Sequence, residues 1–178
     1  MEPTGVDLLG KNVVMVVASQ NFRDEEFREP AKMLAHVKAG IDVASSSKEP
    51  ATGMKGMKVT PDLLLTEVDL ADYDAVIFVG GSGSSEYFDD PTAHQLAKDA
   101  AAEGKPVCAI CIAPSTLANA GLLEGKKATC YSSQVSHLKS KGAEVVEEPV
   151  VRDGNIITAD GPESARLFGR AIVQALAE

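Results

Sequence analysis

Hydrophobic and polar positions follow two alternating patterns along this chain. One pattern is a short, continuous apolar run rich in β-branched residues, which is typical of a parallel strand covered on both faces. Runs of this kind occupy 12–19, 41–46, 75–81, 106–110 and 155–159. Between them, apolar residues recur at helical spacing, as at Phe27, Ala31 and Leu34. Strands that alternate with helices through short turns predict an α/β sandwich with a mostly parallel sheet.

Turn and capping residues place the helices between these strands. Helices are predicted in four segments, 24–40, 90–104, 113–121 and 162–178. Asp90 can cap the second of them and Pro91 suits its first position. Two regions are less regular: 50–70, where we expect an inserted turn or hairpin, and 130–154.

The second irregular region carries signals for two short elements. A short helix is predicted from Ser132 to Lys141. An edge hairpin is predicted around "VVRDGN", because Asp153-Gly154 is a favourable hairpin turn.

Composition narrows the class of protein. The chain has 178 residues, 44% of them hydrophobic and 24% charged, which suits one globular domain over 1–178. The net charge of −9 disfavours nucleic acid and anionic membranes as partners. Three cysteines do not form an even disulfide framework, and the apolar run that begins at Val13 is too short to span a bilayer. We therefore expect a cytoplasmic protein.

Two of the cysteines lie three apart in "CAICIAP", residues 108–114. A redox pair must bring its Cα atoms within about 7 Å, whereas three residues of strand span roughly 10 Å. An odd offset along a strand also directs Cys108 and Cys111 to opposite faces. A zinc half-site lacks the second cysteine or histidine pair that it needs. Both interpretations are disfavoured.

A third interpretation makes Cys111 a nucleophile on a strand-to-helix elbow. Ala109 and Ala113 flank it at the positions where such a tight turn requires small side chains. Pro114 suits the first turn of the following helix, whose N-terminus favours a thiolate. A buried, unreactive cysteine is the alternative, and the spacing alone leaves both open.

A reactive thiol needs a partner that exchanges protons. The three histidines are His36, His94 and His137. The first two fall on predicted helices and are expected at the surface, and none has a spacing that requires a role. Asp24, Glu25 and Glu26 follow the first strand and come to the same sheet edge as Cys111. They are either a solvated acidic helix start or the source of a carboxyl group that faces the thiol.

Four segments in order resemble the DJ-1/PfpI (ThiJ) superfamily over nearly the whole chain. They are "NFRDEEFREP", "FVGGSG", "GKPVCAICIAPSTLANAGLLEGKKATCY" and "VRDGNIITADGP", the last followed by a helix. In this family's first motif the functional glutamate lies four residues before a proline. The resemblance therefore selects Glu26, four before Pro30, over Glu25.

The resemblance implies a flavodoxin-like three-layer sandwich with a small edge hairpin. It implies that Cys111 is the nucleophile and that a protonated Glu26 donates a hydrogen bond to its thiolate. By the same resemblance, Gly80 and Gly81 are expected to form the turn that faces the cysteine, and the N–H groups of Gly81 and Ile112 are expected to form an oxyanion site. A carboxyl beside a thiolate should have a raised pKa and can act as both acid and base. No metal or cofactor is implied.

Three further positions bear on the site. Tyr131 aligns where relatives carry His or Tyr, and is either a substrate-positioning hydroxyl or a packed ring. Ile112 stands where the peptidase-like branch has histidine, so an adjacent Cys–His dyad is absent. Asp160 stands where some relatives carry arginine, which puts anion recognition there in question. Cys130 is a packed thiol or a second redox residue.

The expected function is a cysteine-dependent enzyme for small reactive carbonyls, similar to glyoxalase III or a deglycase. Cys111 would add to the aldehyde of methylglyoxal or glyoxal, Glu26 would shuttle a proton between the two carbons, and hydrolysis would release lactate or glycolate without glutathione. Two alternatives stay open: an oxidative-stress sensor through oxidation of Cys111, and a PfpI-type cysteine peptidase, which Ile112 disfavours. Family members are commonly homodimers, with hexamers in the peptidase branch.

Overall fold

A seven-stranded sheet forms the centre of the computed structural model, which describes residues 5–178. The strands are β1 (Asn12–Val16), β2 (Gln20–Phe22), β3 (Gly40–Ser45), β4 (Ala51–Gly53), β5 (Lys58–Val59), β6 (Leu63–Leu64), β7 (Ala75–Phe78), β8 (Val107–Ile110), β9 (Lys127–Ala128), β10 (Glu144–Val145), β11 (Val150–Asp153) and β12 (Ile156–Ala159). The helices are α1 (Asp24–His36), α2 (Pro91–Ala102), α3 (Pro114–Asn119), α4 (Val135–Ser140) and α5 (Ala165–Leu176). The central order is β11-β12-β8-β7-β1-β3-β6, and each neighbouring pair except β11–β12 is parallel.

Helices cover both faces of this sheet. Val13 and Met15 of β1 pack in a core with α1 and α5, whereas Val14 and Val16 pack in a second core with α2, α3 and α4. Alternate residues of one strand thus enter different cores, which is why the buried strands read as continuous apolar runs. The predicted α/β sandwich with a mostly parallel sheet is confirmed.

The small edge elements are also present. β11 and β12 pair in antiparallel fashion, with Asp153 opposite Ile156 and Gly154 at a φ of 62° in the turn. In the 50–70 region, β4 and β5 form an antiparallel pair that joins β2 in a separate three-stranded sheet. The first strand ends at Val16 rather than at 19, since the chain then leaves the central sheet for β2.

One buried carboxylate attaches this insertion to the start of α1. Asp24, 3% exposed, accepts hydrogen bonds from the backbone N–H groups of Lys55 and Met57, both at 2.9 Å. Burial opposes ionisation, but these N–H groups hold the pKa of Asp24 below its ordinary value. The β4–β5 turn is therefore fixed beside the first turn of α1.

The helices described between residues 5 and 178 all fall short of the length and hydropathy of a membrane-spanning segment.

Replacement of Asp24 by alanine should lower the free energy of unfolding by about 1–3 kcal/mol, because two backbone N–H groups lose a charged acceptor. Urea unfolding of wild type and Asp24→Ala measures the difference. Asp99→Ala, at an exposed position on α2, is the matched control and should change stability by less than about 0.5 kcal/mol. Equal losses in the two variants would show that Asp24 does not anchor the insertion.

Candidate active site

Cys111 lies on an elbow at the carboxyl end of β8. Its φ of 67° is in the left-handed region, which residues with a side chain rarely adopt. Backbone hydrogen bonds hold the elbow: Cys111 N–H donates to the Ala159 carbonyl at 2.9 Å, and Tyr131 N–H donates to the Cys111 carbonyl at 2.8 Å. α3 begins three residues later at Pro114. The turn therefore lifts the thiol out of the strand and into the space beyond the sheet edge.

The elbow also corrects one sequence-based expectation. Cys108 and Cys111 were expected to point to opposite faces, yet both belong to the core on the α1 and α5 side. The left-handed backbone at Cys111 breaks the alternation that a continued strand would have imposed. Both thiols are free in the structure, and Cys108 is fully buried.

Glu26 is the acidic residue that meets the thiol. Glu26 is 0% exposed, and the Cys111 thiol and the Gly80 N–H are the donors that face its carboxyl. Their geometry falls short of well-formed hydrogen bonds, so both carboxyl oxygens are buried without a full partner. A Cβ on Gly80 would collide with Glu26 Oε1, the Ile110 carbonyl and Cys111 Cβ. Glycine at 80 therefore permits the close approach of carboxyl and thiol.

The two acidic neighbours of Glu26 have other partners. Asp24 binds the β4–β5 turn, and Glu25 forms ion pairs with Arg23 at 2.9 Å and with Lys55 at 3.6 Å. Of the three carboxyl groups in this first turn of α1, the structure brings Glu26 to Cys111.

Two backbone donors complete the surroundings of the sulfur. The N–H groups of Gly81 and Ile112 face Cys111 and lower the pKa of its thiol by stabilising the negative charge. Gly81 has a φ of 104°, and a Cβ there would collide with the backbone of Arg23, so glycine is required for this approach. The structure thus places the predicted oxyanion donors beside the sulfur.

Burial dominates the proton equilibria of the pair. It raises the pKa of Glu26 to about 8. Burial and then the charge of Glu26 raise the pKa of Cys111 to about 12, against the two backbone donors. Both groups are therefore protonated at neutral pH in the free site. This differs from the thiolate expected from the helix N-terminus, because Cys111 is only 8% exposed and burial outweighs the backbone donors.

With a single proton on the pair, two arrangements are available. One is a thiol beside a carboxylate, and the other is a thiolate beside a carboxylic acid. The second is nucleophilic, and the Gly81 and Ile112 donors favour it. Transfer of one proton from Cys111 to Glu26 would therefore form a nucleophilic thiolate at this position.

A cavity of about 1080 Å³ opens above this pair. Its walls come from the segments 129–135, 145–149 and 160–163, together with Arg23 and Gly81. Four carboxylates also line it, namely Glu147, Glu148, Asp160 and Glu163. Sequence reasoning did not assemble this wall, because its residues come from separate parts of the chain and only the adjacent pair Glu147-Glu148 marks it locally.

The remaining candidate residues lie around this cavity or away from it. Tyr131 lines the cavity and is 45% exposed, so it is not a packed core residue; its role in substrate positioning stays a prediction. Cys130 also lines the cavity but is buried in the second core. His94 Nε2 lies 2.7 Å from the Phe88 carbonyl and His137 Nε2 lies 2.6 Å from Asn119 Oδ1. Among the described residues that line the cavity, none is a histidine.

The family model of DJ-1/PfpI matches residues 11–175. General stress protein 18 of Bacillus subtilis is 35% identical over 91% of this chain and 95% of its own. Deglycase PfpI of Pyrococcus furiosus is 30% identical over 92% of this chain and 98% of its own. The crystal structure of a ThiJ/PfpI domain protein from Brachyspira murdochii superposes with a TM-score of 0.91, at 37% identity, over 97% of this chain and 98% of that one.

Relative to wild type, Glu26→Gln should gain free energy of unfolding as the pH is raised from 4.5 to 8. Between the ordinary pKa of 4.5 and the folded pKa of about 8, Glu26 ionises in the unfolded chain but stays protonated in the folded one. Wild-type stability therefore falls as pH rises through this window, by roughly 2–4 kcal/mol. Urea unfolding of both proteins from pH 4 to pH 9 measures the growing difference.

Glu25→Gln is the matched control, one residue away. Burial opposes ionisation of Glu25, but the hydrogen bond from Arg23 lowers the pKa of this carboxyl below its ordinary value. The stability that ionised Glu25 contributes to the fold is therefore lost as pH falls. The two variants should therefore deviate from wild type with opposite pH dependence. A stability difference for Glu26→Gln that is constant across pH would show that the carboxyl is ionised in the folded protein.

Proposed function

Since the chain belongs to the DJ-1/PfpI family, we propose that it is a cysteine-dependent enzyme for small reactive carbonyls, converting methylglyoxal to lactate without glutathione. The observation that carries this proposal is the shared burial of Cys111 and Glu26 beneath an open cavity. A thiol and a carboxyl group in contact can form a covalent adduct and move protons on it. The Pyrococcus furiosus relative, named a deglycase, is consistent with such chemistry.

The first step is addition of sulfur to the aldehyde carbon. The S–C bond forms as the aldehyde C=O bond opens, and the carboxylic acid of Glu26 gives its proton to the new alkoxide. The product is a hemithioacetal on Cys111. The N–H groups of Gly81 and Ile112 stabilise negative charge as it develops near the sulfur.

The second step moves one proton between the two substrate carbons. The carboxylate of Glu26, left by the first step, removes the proton from the former aldehyde carbon and returns it to the neighbouring carbon. In the same step the hydroxyl proton of the hemithioacetal passes to the oxygen of the former ketone, so the ketone becomes a hydroxyl group and the hemithioacetal becomes a thioester. A raised pKa near 8 makes this carboxylate a stronger base than an ordinary glutamate.

Hydrolysis completes the reaction. Water attacks the thioester carbonyl, the C–S bond breaks, and lactate leaves while Cys111 regains its proton. In sum, methylglyoxal and one water give lactate, and no electron acceptor or donor takes part.

Oxidation of Cys111 is the second candidate function, and the contact with Glu26 favours it. A protonated carboxyl group can donate a hydrogen bond to a sulfinate formed on the same sulfur. The related stress protein of Bacillus subtilis is consistent with such a role. A peptidase is supported less well, because the cavity lining lacks a histidine among the described residues and Ile112 follows the cysteine.

Lactate formation from methylglyoxal by the purified protein tests the proposal. Cys111→Ser and Glu26→Gln should each lower kcat/KM at least about 10²-fold, because each removes a group that takes part in bond making. The rate should rise as pH approaches 8, where the pair loses its first proton. Cys108→Ala, at the buried cysteine outside the cavity, is the control that should keep turnover.

Turnover that survives in Cys111→Ser would contradict the nucleophile assignment. If the wild type gives no lactate but Cys111 gains oxygen in dilute hydrogen peroxide, as measured by intact mass, the result favours a redox sensor and contradicts the proposed enzyme.

A further inference from the structure

Resting on the proposed function, we propose that this site selects carbonyl compounds whose remote end carries a positive charge and discriminates against anionic ones. The proposal concerns the part of the substrate that does not react. It is carried by the charge on the cavity wall and by the buried carboxyl of Glu26, whose oxygens have no full hydrogen-bond partner.

The wall of the cavity is strongly acidic. Glu147, Glu148 and Glu163 are exposed at its rim, and Asp160 is half-buried in it. Arg23 is the one basic side chain among the described residues that line it, and its guanidinium is already paired with Glu25 at 2.9 Å. An anion that enters the cavity therefore meets uncompensated negative charge.

Asp160 is fixed close to the nucleophile. It follows Ala159, whose carbonyl accepts the hydrogen bond from Cys111 N–H at 2.9 Å. Ser164 Oγ donates to Asp160 Oδ1 at 2.5 Å, and Asp160 N–H donates to the Pro149 carbonyl at 3.1 Å. Burial and then the charge of Asp160 raise the pKa of Cys130 in the same wall. The charge of Asp160 thus acts inside the cavity, and hydrogen bonds hold this residue in place.

The end of the cavity at Cys111 and Glu26 suits an uncharged carbonyl group rather than a cation. Glu26 is 0% exposed, lines the same cavity and has no well-formed partner for either carboxyl oxygen. In its protonated form it carries no charge and is free to donate to a substrate oxygen. A ligand with a carbonyl at one end and a cation at the other satisfies both ends of the site.

The size of the effect follows from Coulomb's law. A unit charge held roughly 8 Å from a carboxylate, at an effective dielectric of about 20 to 40, changes affinity about five- to thirtyfold. Several rim carboxylates add smaller, more screened contributions. Discrimination between a cationic and an anionic substrate of the same shape should therefore exceed about tenfold.

Three substituted phenylglyoxals form a matched series for the test. Phenylglyoxal, its 4-trimethylammonium derivative and its 4-carboxylate share one reacting group and differ in remote charge. Wild-type kcat/KM, measured as formation of the corresponding mandelate, should be highest for the cation and lowest for the anion, with a ratio above about tenfold. Addition of 0.5 M sodium chloride should compress this ratio severalfold.

Asp160→Asn should lower the cation-to-anion ratio at least about fivefold by removing the fixed charge. Glu163→Gln, at an exposed rim position, should lower it in the same direction and serves where Asp160→Asn folds poorly. Glu103→Gln is the control: this exposed acid follows α2, at the opposite edge of the sheet, and should leave the ratio unchanged.

A second readout does not require turnover. Methanethiosulfonate reagents that carry trimethylammonium or sulfonate groups react with a thiolate, which forms a disulfide as methanesulfinate leaves. Intact mass then gives the rate of labelling, with Cys111→Ser as the blank and free 2-mercaptoethanol as the reference for intrinsic reactivity. The cationic reagent should be favoured in wild type and less favoured in Asp160→Asn.

The outcomes separate this inference from the proposed function. Equal rates for cationic and anionic compounds in both assays, or a ratio that Asp160→Asn and Glu163→Gln leave unchanged, would overturn the inference. Absence of lactate from methylglyoxal and of mandelate from all three phenylglyoxals, with the labelling preference intact, would overturn the proposed reaction and retain the charge selectivity of the site.

Discussion

The buried contact between the Cys111 thiol and the Glu26 carboxyl is the interaction on which the site depends. It requires an elbow with a φ of 67° at Cys111, a glycine at 80 where any side chain would collide, and the first turn of α1 placed over the end of β8. Each of these is secured by a different part of the fold. The elbow is fixed by backbone bonds from β12 and from residue 131, and α1 is fixed by Asp24 and the β4–β5 turn.

Such a contact opposes folding rather than favouring it. A carboxyl with no full hydrogen-bond partner loses solvation on burial and gains little in return, which is why its pKa rises to about 8. The two apolar cores on either side of the sheet must supply the stability that this site lacks. Strain and unsatisfied polar groups gathered at one point of an otherwise consistent fold are typical of functional sites.

The sequence predicts the parts of this structure whose signals are local. The parallel strands are recognisable because both faces are buried, and the β11–β12 hairpin because Asp153-Gly154 favours its turn. Family resemblance, rather than spacing, distinguishes Glu26 from Glu25. The shared orientation of Cys108 and Cys111 escapes prediction, because one left-handed residue reverses the strand's alternation. The acidic cavity wall escapes prediction because Glu147 is distant in sequence from Asp160 and Glu163, and only the folded chain brings them to one cavity.

The distribution of charge in the cavity separates two tasks that would otherwise conflict. Proton transfer at Cys111 needs a carboxyl group that holds its proton at neutral pH, which burial provides at Glu26. Recognition of a charged substrate needs acidic side chains that a ligand can reach from solvent, and Glu147, Glu148 and Glu163 are exposed at the cavity rim. Under the proposed function, a gradient of burial along one cavity gives the same chemical group two roles, proton donor at the closed end and electrostatic selector at the open end.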